Sequence, residues 1–224
     1  MKALIFDSGP LINLSLNGLL PILESLKKEF SGKFIITPQV KREVYDRPVN
    51  IKQFELGALR IDSLINNKIL EFPEALQIKQ RTLDEETRRL MNVANNSFKT
   101  EGHYISIVSD AEISCIALSK QLMEKGIDTM IVVDERTARM LGEKPENLER
   151  LMSQKFHKTV SMINNLAKDF QGLKFIRSSE VVYVAYKKGL IKIEDDRALE
   201  ALLYATKFKG SAISFDEIET LRKG

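Results

Sequence analysis

Apolar residues along this chain occur either as short uninterrupted runs or at every third or fourth position. The short runs predict β-strands at 2–6, 34–36, 68–72, 130–133 and 174–176. The periodic stretches predict helices at 11–16, 19–30, 38–44, 56–65, 113–125, 145–170, 179–188, 195–207 and 215–222. Strands that alternate with helices are typical of an α/β protein. We therefore expect a three-layer α/β/α fold with a central, mainly parallel sheet and extra helices.

Turn and capping residues predict where several of these elements begin and end. Ser8-Gly9-Pro10 predicts a turn after the first strand, and Thr37 predicts an N-cap because Pro38 follows it. Thr82–Glu85 predicts a capping box at the start of a polar helix, and Ser214–Glu217 predicts another. Helix ends are predicted at Gly32, Gly126, Gly172 and Gly189.

Length and composition favour a single domain of 224 residues, with core motifs at 1–140, a helical insertion at about 140–172 and a C-terminal part at 173–224 packed on the core. No apolar run approaches the roughly 20 residues that cross a bilayer, and Asp7 interrupts the first one. We therefore expect a cytoplasmic protein that has no membrane partner. The lone cysteine, Cys115, excludes an internal disulfide framework and is interpreted as a small buried apolar side chain.

The distribution of charge favours a polyanionic partner more than the net charge does. The formal net charge is only +3, but 135–188 contains 11 Lys and Arg residues against 6 Asp and Glu residues. Cations along a surface attract the phosphates of nucleic acids. The alternative is that these lysines and glutamates only solvate helix faces, and it is preferred for any single lysine.

Acidic residues follow two of the predicted strands. Asp7 ends the run Ala3–Phe6, and Asp134 ends the run Met130–Val133. Because the carboxyl ends of parallel strands meet at one edge of a sheet, the two carboxylates are expected to converge there. Three further acids flank predicted strands or stand on helices near them, namely Glu43, Asp110 and Glu112.

Carboxylates that meet in one cleft repel one another unless a cation lies between them. The acidic set therefore predicts a site for Mg²⁺ or Mn²⁺, which prefer oxygen ligands and engage phosphates. Each acid also has a structural alternative: Asp7 as an N-cap, Glu43 on the surface, Asp110 facing a helix dipole, and Glu112 in a capping box with Ser109. Zinc is not expected, since the chain offers for it only His103, His157 and Cys115.

The segments that carry these acids resemble, in the same order, the four motifs of the PIN-domain family of metal-dependent ribonucleases. The matching segments are Lys2–Ile12, Pro38–Val44, Ser109–Leu118 and Val132–Arg139. Phe175–Ile191 is similar to a region that follows the fourth motif in an archaeal and bacterial subgroup. Two stretches depart from a minimal PIN domain: 46–105 could reshape the substrate cleft, and 140–172 could form a dimer contact or bind RNA.

The resemblance implies a PIN-like fold and a Mg²⁺- or Mn²⁺-dependent nuclease that hydrolyses single-stranded or structured RNA, with endonuclease and exonuclease activity both open. Such ions activate water and stabilise charge on phosphate oxygens. With the resemblance, we assign the metal ligands to Asp7, Glu43, Asp110, Glu112 and Asp134. Catalytic roles fall to Asp7, Glu43, Glu112 and Asp134. Ser8 is expected either to orient a carboxylate or to contact a phosphate of the substrate, and Arg136 and Arg139 are expected to bind the substrate backbone. Glu135 is expected to contact the metal ligands and not the metal.

Several alternatives compete with this hypothesis. A haloacid-dehalogenase-like phosphatase would need a second Asp two residues after the first, where Gly9 stands. A nucleic-acid-binding or scaffolding protein could keep the fold without catalysis, although the acids of all four motifs are present. Within the nuclease hypothesis, an RNA-processing role is preferred to that of a compact toxin. The expected protein partner is accordingly an RNA-processing factor or an antitoxin, or a second copy of the chain in a homodimer.

Overall fold

The computed structural model describes residues 1–223 and has a five-stranded parallel sheet at its centre. The strands of the protein are β1 (Lys2–Phe6), β2 (Gly32–Ile35), β3 (Leu70–Glu71), β4 (Phe98–Thr100), β5 (His103–Tyr104), β6 (Asp128–Val132), β7 (Val160–Met162) and β8 (Phe175–Ile176). The central sheet has the strand order β3-β2-β1-β6-β8, with every neighbouring pair parallel. The predicted α/β class and parallel sheet are confirmed.

Twelve α-helices surround the strands in residues 1–223. They are α1 (Ser8–Leu16), α2 (Pro21–Glu29), α3 (Pro38–Lys41), α4 (Glu55–Asn66), α5 (Gln80–Asn95), α6 (Asp110–Glu124), α7 (Arg136–Glu143), α8 (Leu148–Phe156), α9 (Ala167–Phe170), α10 (Ser178–Lys187), α11 (Ala198–Phe208) and α12 (Phe215–Lys223). A π-helical turn, Arg42–Asp46, continues α3, and short 3-10 turns occupy Pro48–Asn50, Pro73–Leu76 and Pro145–Asn147.

The apolar runs of the sequence fill the interior of the three-layer α/β/α fold. β1 lies in the middle of the sheet, where Leu4 is opposite Phe34 of β2 and Phe6 is opposite Val132 of β6. Helix α6 packs on β1 and β6 and is itself covered by α5, while α1 contacts α4 and α10. One cluster of buried apolar side chains extends from Ala3 to Leu202. Among residues 1–223, no helix is both long and apolar enough to cross a membrane.

The prediction of one long helix at 145–170 is wrong. The chain there forms α8, then β7, then the short α9, and α8 ends at His157 with a positive φ of 53°. β7 pairs with β4, which also pairs with β5, and the three form a small antiparallel sheet that was not predicted. The apolar stripe of the predicted helix, namely Leu148, Leu151, Met152, Phe156, Val160, Ile163 and Leu166, is only partly buried. Leu148, Met152, Val160 and Leu166 join the main cluster, whereas Phe156 and Ile163 are exposed.

Three predicted boundaries are also wrong. Ser8-Gly9-Pro10 is the first turn of α1 and not a separate turn. Thr82 lies inside α5, where its hydroxyl donates to the carbonyl of Lys79, so it caps nothing. Gly32 opens β2 and does not end a helix: a β-carbon on it would lie 2.4 Å from the Lys2 carbonyl oxygen. The predicted helix ends at Gly126, Gly172 and Gly189 and the Ser214–Glu217 capping box are confirmed.

Candidate functional site

The strand order places a crevice at the carboxyl ends of β1 and β6. The chain builds the sheet from β1 outward through β2 to β3, and then returns to the other side of β1 with β6 and β8. Connections therefore leave β1 and β6 in opposite directions, which is where α/β proteins bind ligands. Asp7 directly follows β1, and Asp134 follows β6 by two residues. A β-carbon on Gly9 would lie 3.6 Å from Asp7 Oδ2 and 3.9 Å from Asp134 Cβ, so the two acids flank Gly9.

Asp7 is a buried carboxylate with half of its hydrogen-bonding capacity unused. Its side chain is 4% exposed, and its Oδ2 atom accepts a 3.4 Å bond from the Gly9 amide at the start of α1. Oδ1 has no hydrogen-bond partner in the described chain. Burial, followed by the charges of Glu112 and Glu43, raises the pKa of Asp7 to about 8. Asp7 thus acts as an N-cap through Oδ2, but capping does not explain why Oδ1 is buried without a partner.

Glu43 reaches the crevice from the π-helical turn. The hydroxyl of Ser8 donates a 2.6 Å hydrogen bond to Glu43 Oε2. Thr37 caps α3 as predicted, through a 3.2 Å bond from the Val40 amide to its hydroxyl oxygen. The helix that follows widens at Arg42–Asp46, and such π-turns are rare and occur often at functional sites. Ser8 thus orients a carboxylate, which is one of the contacts expected of it.

Glu112 belongs to the cluster and to a helix cap at the same time. Its Oε2 accepts a 2.6 Å bond from the Ser109 amide, and the Ser109 hydroxyl accepts a 3.2 Å bond from the Glu112 amide. The predicted capping box is therefore present. Burial, opposed by the Ser109 amide and reinforced by the charges of Glu135 and Glu43, raises the pKa of Glu112. The cap uses Oε2 and leaves Oε1 without a protein partner in the described residues.

The two roles of Glu112 can be separated by measuring stability and metal affinity. Ser109→Ala should lower the free energy of unfolding by about 1 kcal/mol, because it removes the cap hydroxyl, and it should leave Mn²⁺ affinity unchanged. Glu112→Gln keeps an amide oxygen for the cap, so its stability should change less while its Mn²⁺ affinity falls. Urea unfolding and Mn²⁺ titration check this. Unchanged Mn²⁺ affinity in Glu112→Gln would make Glu112 a capping residue only.

Asp110 lies apart from the cluster, although only one residue separates it from Glu112. It is exposed at the first position of α6, and its Oδ2 forms a 3.0 Å ion pair with Arg42. Its assignment as a metal ligand stays a prediction, and its present contact is with an arginine.

Asp134 is held by three hydrogen bonds from the protein. The amide of Ser178 donates to Oδ1 at 2.8 Å, and Oδ2 accepts from the Ser178 hydroxyl at 2.7 Å and from Asn13 Nδ2 at 3.2 Å. Burial raises the pKa of Asp134, and these bonds oppose the rise. No arginine pairs with Asp134 in residues 1–223: Arg139 pairs with Glu143 at 3.0 Å, and Arg136 has no acidic partner there.

Asn13 and Ser178 were not identified from the sequence. Ser178 begins α10 two residues after β8, just as Asp134 lies two residues after β6, so the strand-end rule that selected Asp134 would also have selected it. Asn13 is a fully buried polar residue of helix α1, and it also donates to the Thr206 carbonyl at 2.8 Å. Both position Asp134.

Glu135 and Cys115 border the cluster. Glu135 caps α7 by accepting from the amides of Thr137 and Ala138, and its charge contributes to the raised pKa of Glu112. Cys115 is fully buried, as expected, and its thiol is directed to the Phe6 carbonyl at 3.7 Å. Burial, with the charges of Asp7 and Glu112, raises the pKa of this thiol well above its usual value, so it stays protonated.

The donor chemistry of the crevice fits a hard divalent cation. Asp7 offers a buried oxygen without a partner, and the carboxylates of Glu43 and Glu112 are close enough to raise its pKa. Among residues 1–223, however, no group of three or more His, Cys, Asp or Glu side chains is arranged to hold a metal ion. A cation bound here would thus be held by Asp7 Oδ1 together with water and with carboxylate oxygens of the neighbouring acids that accept no hydrogen bond at present. Mg²⁺ and Mn²⁺ are suited to this because they keep several water ligands.

Comparisons with known proteins gave no match. No protein-family model matches the chain, and neither a curated protein nor a solved structure does. The resemblance to PIN domains therefore stays a prediction from the sequence segments that carry it.

Proposed function

We propose that the protein is a Mg²⁺- or Mn²⁺-dependent nuclease that hydrolyses phosphodiester bonds of single-stranded RNA in the cytoplasm. The observation that carries this proposal is the buried Asp7 carboxylate at the switch point of the sheet, with Oδ1 unpartnered and two glutamates near it. A carboxylate in this position is unfavourable for the fold alone, which favours a functional role. The four PIN-like motifs support the same activity.

The proposed roles follow from the contacts of each side chain. Asp7 would bind the cation through Oδ1 while Oδ2 keeps its bond to the Gly9 amide. Ser8 would hold Glu43 beside it, and the Ser109 amide would fix one oxygen of Glu112. When bound, the cation would supply charge stabilisation on the phosphate and a more acidic water.

Asp134 would have at most one free position for the cation or for a water bound to it. Ser178 and Asn13 already occupy three of its hydrogen-bonding sites, and one position on Oδ1 is left for a water or a cation. Of the two arginines expected to contact the substrate, Arg136 has its guanidinium free of acids in the described chain, whereas Arg139 is engaged by Glu143. Arg136 is therefore the better candidate for a phosphate contact.

The proposal is tested with a labelled single-stranded RNA in Mn²⁺. The wild-type protein should cleave it, and EDTA should prevent cleavage. Asp7→Asn should lower the rate by at least about 100-fold, because an amide cannot replace a charged metal ligand. Asn is also a good N-cap, so the variant should stay folded by circular dichroism.

A matched control is Asp196→Asn, the same change at an exposed acid outside the cluster, and it should leave the rate unchanged. If Asp7→Asn cleaves RNA as fast as the wild-type protein, the proposed site is wrong. If the wild-type protein binds RNA but never cleaves it, the protein is a nucleic-acid-binding or scaffolding protein of the same fold.

A further inference from the structure

A second concave surface adjoins the acidic cluster and shares Glu43 with it. The cavity encloses about 500 Å³ between α1, the π-helical turn and α4. Its floor includes the buried side chains of Val44, Ala58 and Ile61. Pockets of this volume accommodate ligands the size of one nucleotide. Because Glu43 lines both the cavity and the cluster, a ligand can extend from one to the other without leaving the protein surface.

The rim of the cavity concentrates exposed apolar side chains. Fifteen large apolar residues of the described chain are notably exposed, and five of them line this one cavity. Those five are Ile12, Leu16, Ile51, Phe54 and Leu56. Single exposed apolar residues need no explanation, but a group of this kind around a concavity is typical of a binding site.

Two arginines at the cavity lack acidic partners in the described chain. The other cations of 41–60 are paired: Lys41 with Asp46, Arg42 with Asp110 and Lys52 with Glu55. Arg47 and Arg60 are exposed, form no ion pair in residues 1–223, and both line the cavity. An apolar recess with two free guanidinium groups matches a ligand that has an apolar ring and a negative charge.

We propose that this cavity binds the base of an RNA nucleotide that neighbours the cleaved bond, with Arg47 and Arg60 on the adjoining phosphates. This inference rests on the proposed nuclease function. Phe54 and Ile12 would contact the faces of the base, as aromatic and apolar side chains do in single-strand-binding proteins. Arg47 and Arg60 would contribute the charge that the acidic cluster cannot, since that cluster repels phosphate until a cation is bound.

The test measures binding of a fluorescently labelled ten-nucleotide RNA in EDTA, which prevents hydrolysis, by anisotropy. Ile12→Ala with Phe54→Ala should weaken binding about tenfold through lost stacking. Arg47→Gln with Arg60→Gln should weaken it by a similar factor and lower its salt dependence. The controls are Leu59→Ala, an exposed apolar residue of α4 that does not line the cavity, and Arg88→Gln, an exposed arginine of α5 without an acidic partner. Both controls should change affinity less than about twofold.

RNAs that lack one base test whether the cavity holds a base or whether the substitutions weaken RNA binding non-specifically. Removing one base should weaken binding to the wild-type protein as much as the Ile12 and Phe54 changes do, and the two losses should not add, because both remove the same contact. If the affinity loss from the abasic site and that from the Ile12 and Phe54 changes add fully at every abasic position, the proposal is overturned. So would cavity variants that bind RNA normally but lose self-association in sedimentation, since the cavity would then be an interface between copies of the chain.

Failure of the cavity proposal is distinguishable from failure of the nuclease proposal. If the wild-type protein cleaves RNA in Mn²⁺ and the cavity variants bind and cleave like their controls, only the cavity proposal is overturned. If no RNA is cleaved but the binding losses occur as expected, the nuclease proposal fails and the cavity stands as a nucleotide-binding site.

Discussion

Replacement of Asp7 by asparagine is expected to stabilise the metal-free protein at about pH 9 by several kcal/mol. Burial and the neighbouring glutamates raise the pKa of Asp7 from 3.8 to about 8. Since each pKa unit corresponds to about 1.4 kcal/mol, ionising this carboxyl costs the fold roughly 6 kcal/mol relative to the unfolded chain. Asparagine has no charge to bury, and it retains an oxygen for the Gly9 amide.

The sign of the pH dependence follows from the raised pKa. Between about pH 4 and pH 8 the folded protein holds a proton on Asp7 that the unfolded chain has released, so its free energy of unfolding falls as pH rises through that range. Asp7→Asn removes this contribution. Wild type and variant should therefore have similar stability near pH 4, and the variant should be more stable above pH 8.

Urea unfolding in EDTA at a series of pH values checks the expectation, with Asp196→Asn as the exposed control that should follow the wild-type curve. Adding Mn²⁺ at about pH 8 should raise the melting temperature of the wild-type protein, because the cation neutralises the buried charge, and should raise that of Asp7→Asn much less. If Asp7→Asn is no more stable than the wild-type protein at about pH 9, Asp7 is not an unfavourably buried carboxylate.

The expected loss of RNA cleavage and the expected gain in stability both concern Asp7, and together they show whether this side chain serves activity or folding. The same substitution that should abolish cleavage should also make the protein harder to unfold. A residue retained for its contribution to the fold would behave in the opposite way, since its loss would destabilise the protein.

The central sheet could be predicted because its strands are buried on both faces. Ala3–Phe6 of β1 and 130–132 of β6 contain no polar residue, a pattern typical of parallel interior strands. The small sheet could not be predicted in this way, since β4 and β5 are short and partly exposed. Its one local signal is the Glu101-Gly102 turn, where both residues have positive φ, as tight hairpins require.

The long helix predicted at 145–170 shows why periodicity alone was insufficient. Leu148 and Met152 lie on α8 at helical spacing, and Val160 continues the same spacing although it belongs to β7. The helix ends at His157, whose left-handed backbone no residue type in the sequence marks. Burial of most of the stripe is therefore predictable, while its conformation depends on pairing with β4.

The candidate site also has a part that the sequence predicts and a part that it does not. Asp7 and Asp134 were predictable because strand ends determine where their side chains lie. The bonds that hold Asp134 come from Asn13 and Ser178, which are 121 and 44 residues away along the chain, so only tertiary packing brings them to it. The position of Ser178 after a strand marks it as a residue of this sheet edge, but local sequence does not show that Ser178 or Asn13 bonds to Asp134.

Arg177→Met is expected to lower the free energy of unfolding by about 3 kcal/mol, because it removes the buried centre of a network that joins three parts of the chain. The guanidinium is 6% exposed; it forms two hydrogen bonds to Glu217, at 2.9 and 3.0 Å, and pairs with Glu180 at 2.6 Å. It also donates to the Ala212 carbonyl at 3.1 Å. Methionine preserves the length of the side chain but none of these bonds.

The effect should reach the candidate site, since the neighbours of this network also hold Asp134. Ser178 directly follows Arg177 and donates twice to the Asp134 carboxylate, and the Ala212 amide donates to the Asp134 carbonyl at 3.2 Å. We therefore expect Arg177→Met to weaken Mn²⁺ binding as well as stability, although Arg177 is not a proposed ligand.

Arg222→Met provides the matched control, because Arg222 also bonds two glutamates, Glu200 and Glu219, but is about half exposed. Its loss should change stability by less than about 0.5 kcal/mol. Urea unfolding at a series of acidic pH values supplies a second check on this prediction. Arg177 lowers the pKa of Glu217 to about 2, so this pair stabilises the fold above about pH 4.5 and the contribution is lost as pH falls towards 2. The difference in the free energy of unfolding between wild type and Arg177→Met should therefore shrink below pH 4. If the difference stays constant, the destabilisation by Arg177→Met comes from lost packing and not from the ion pair.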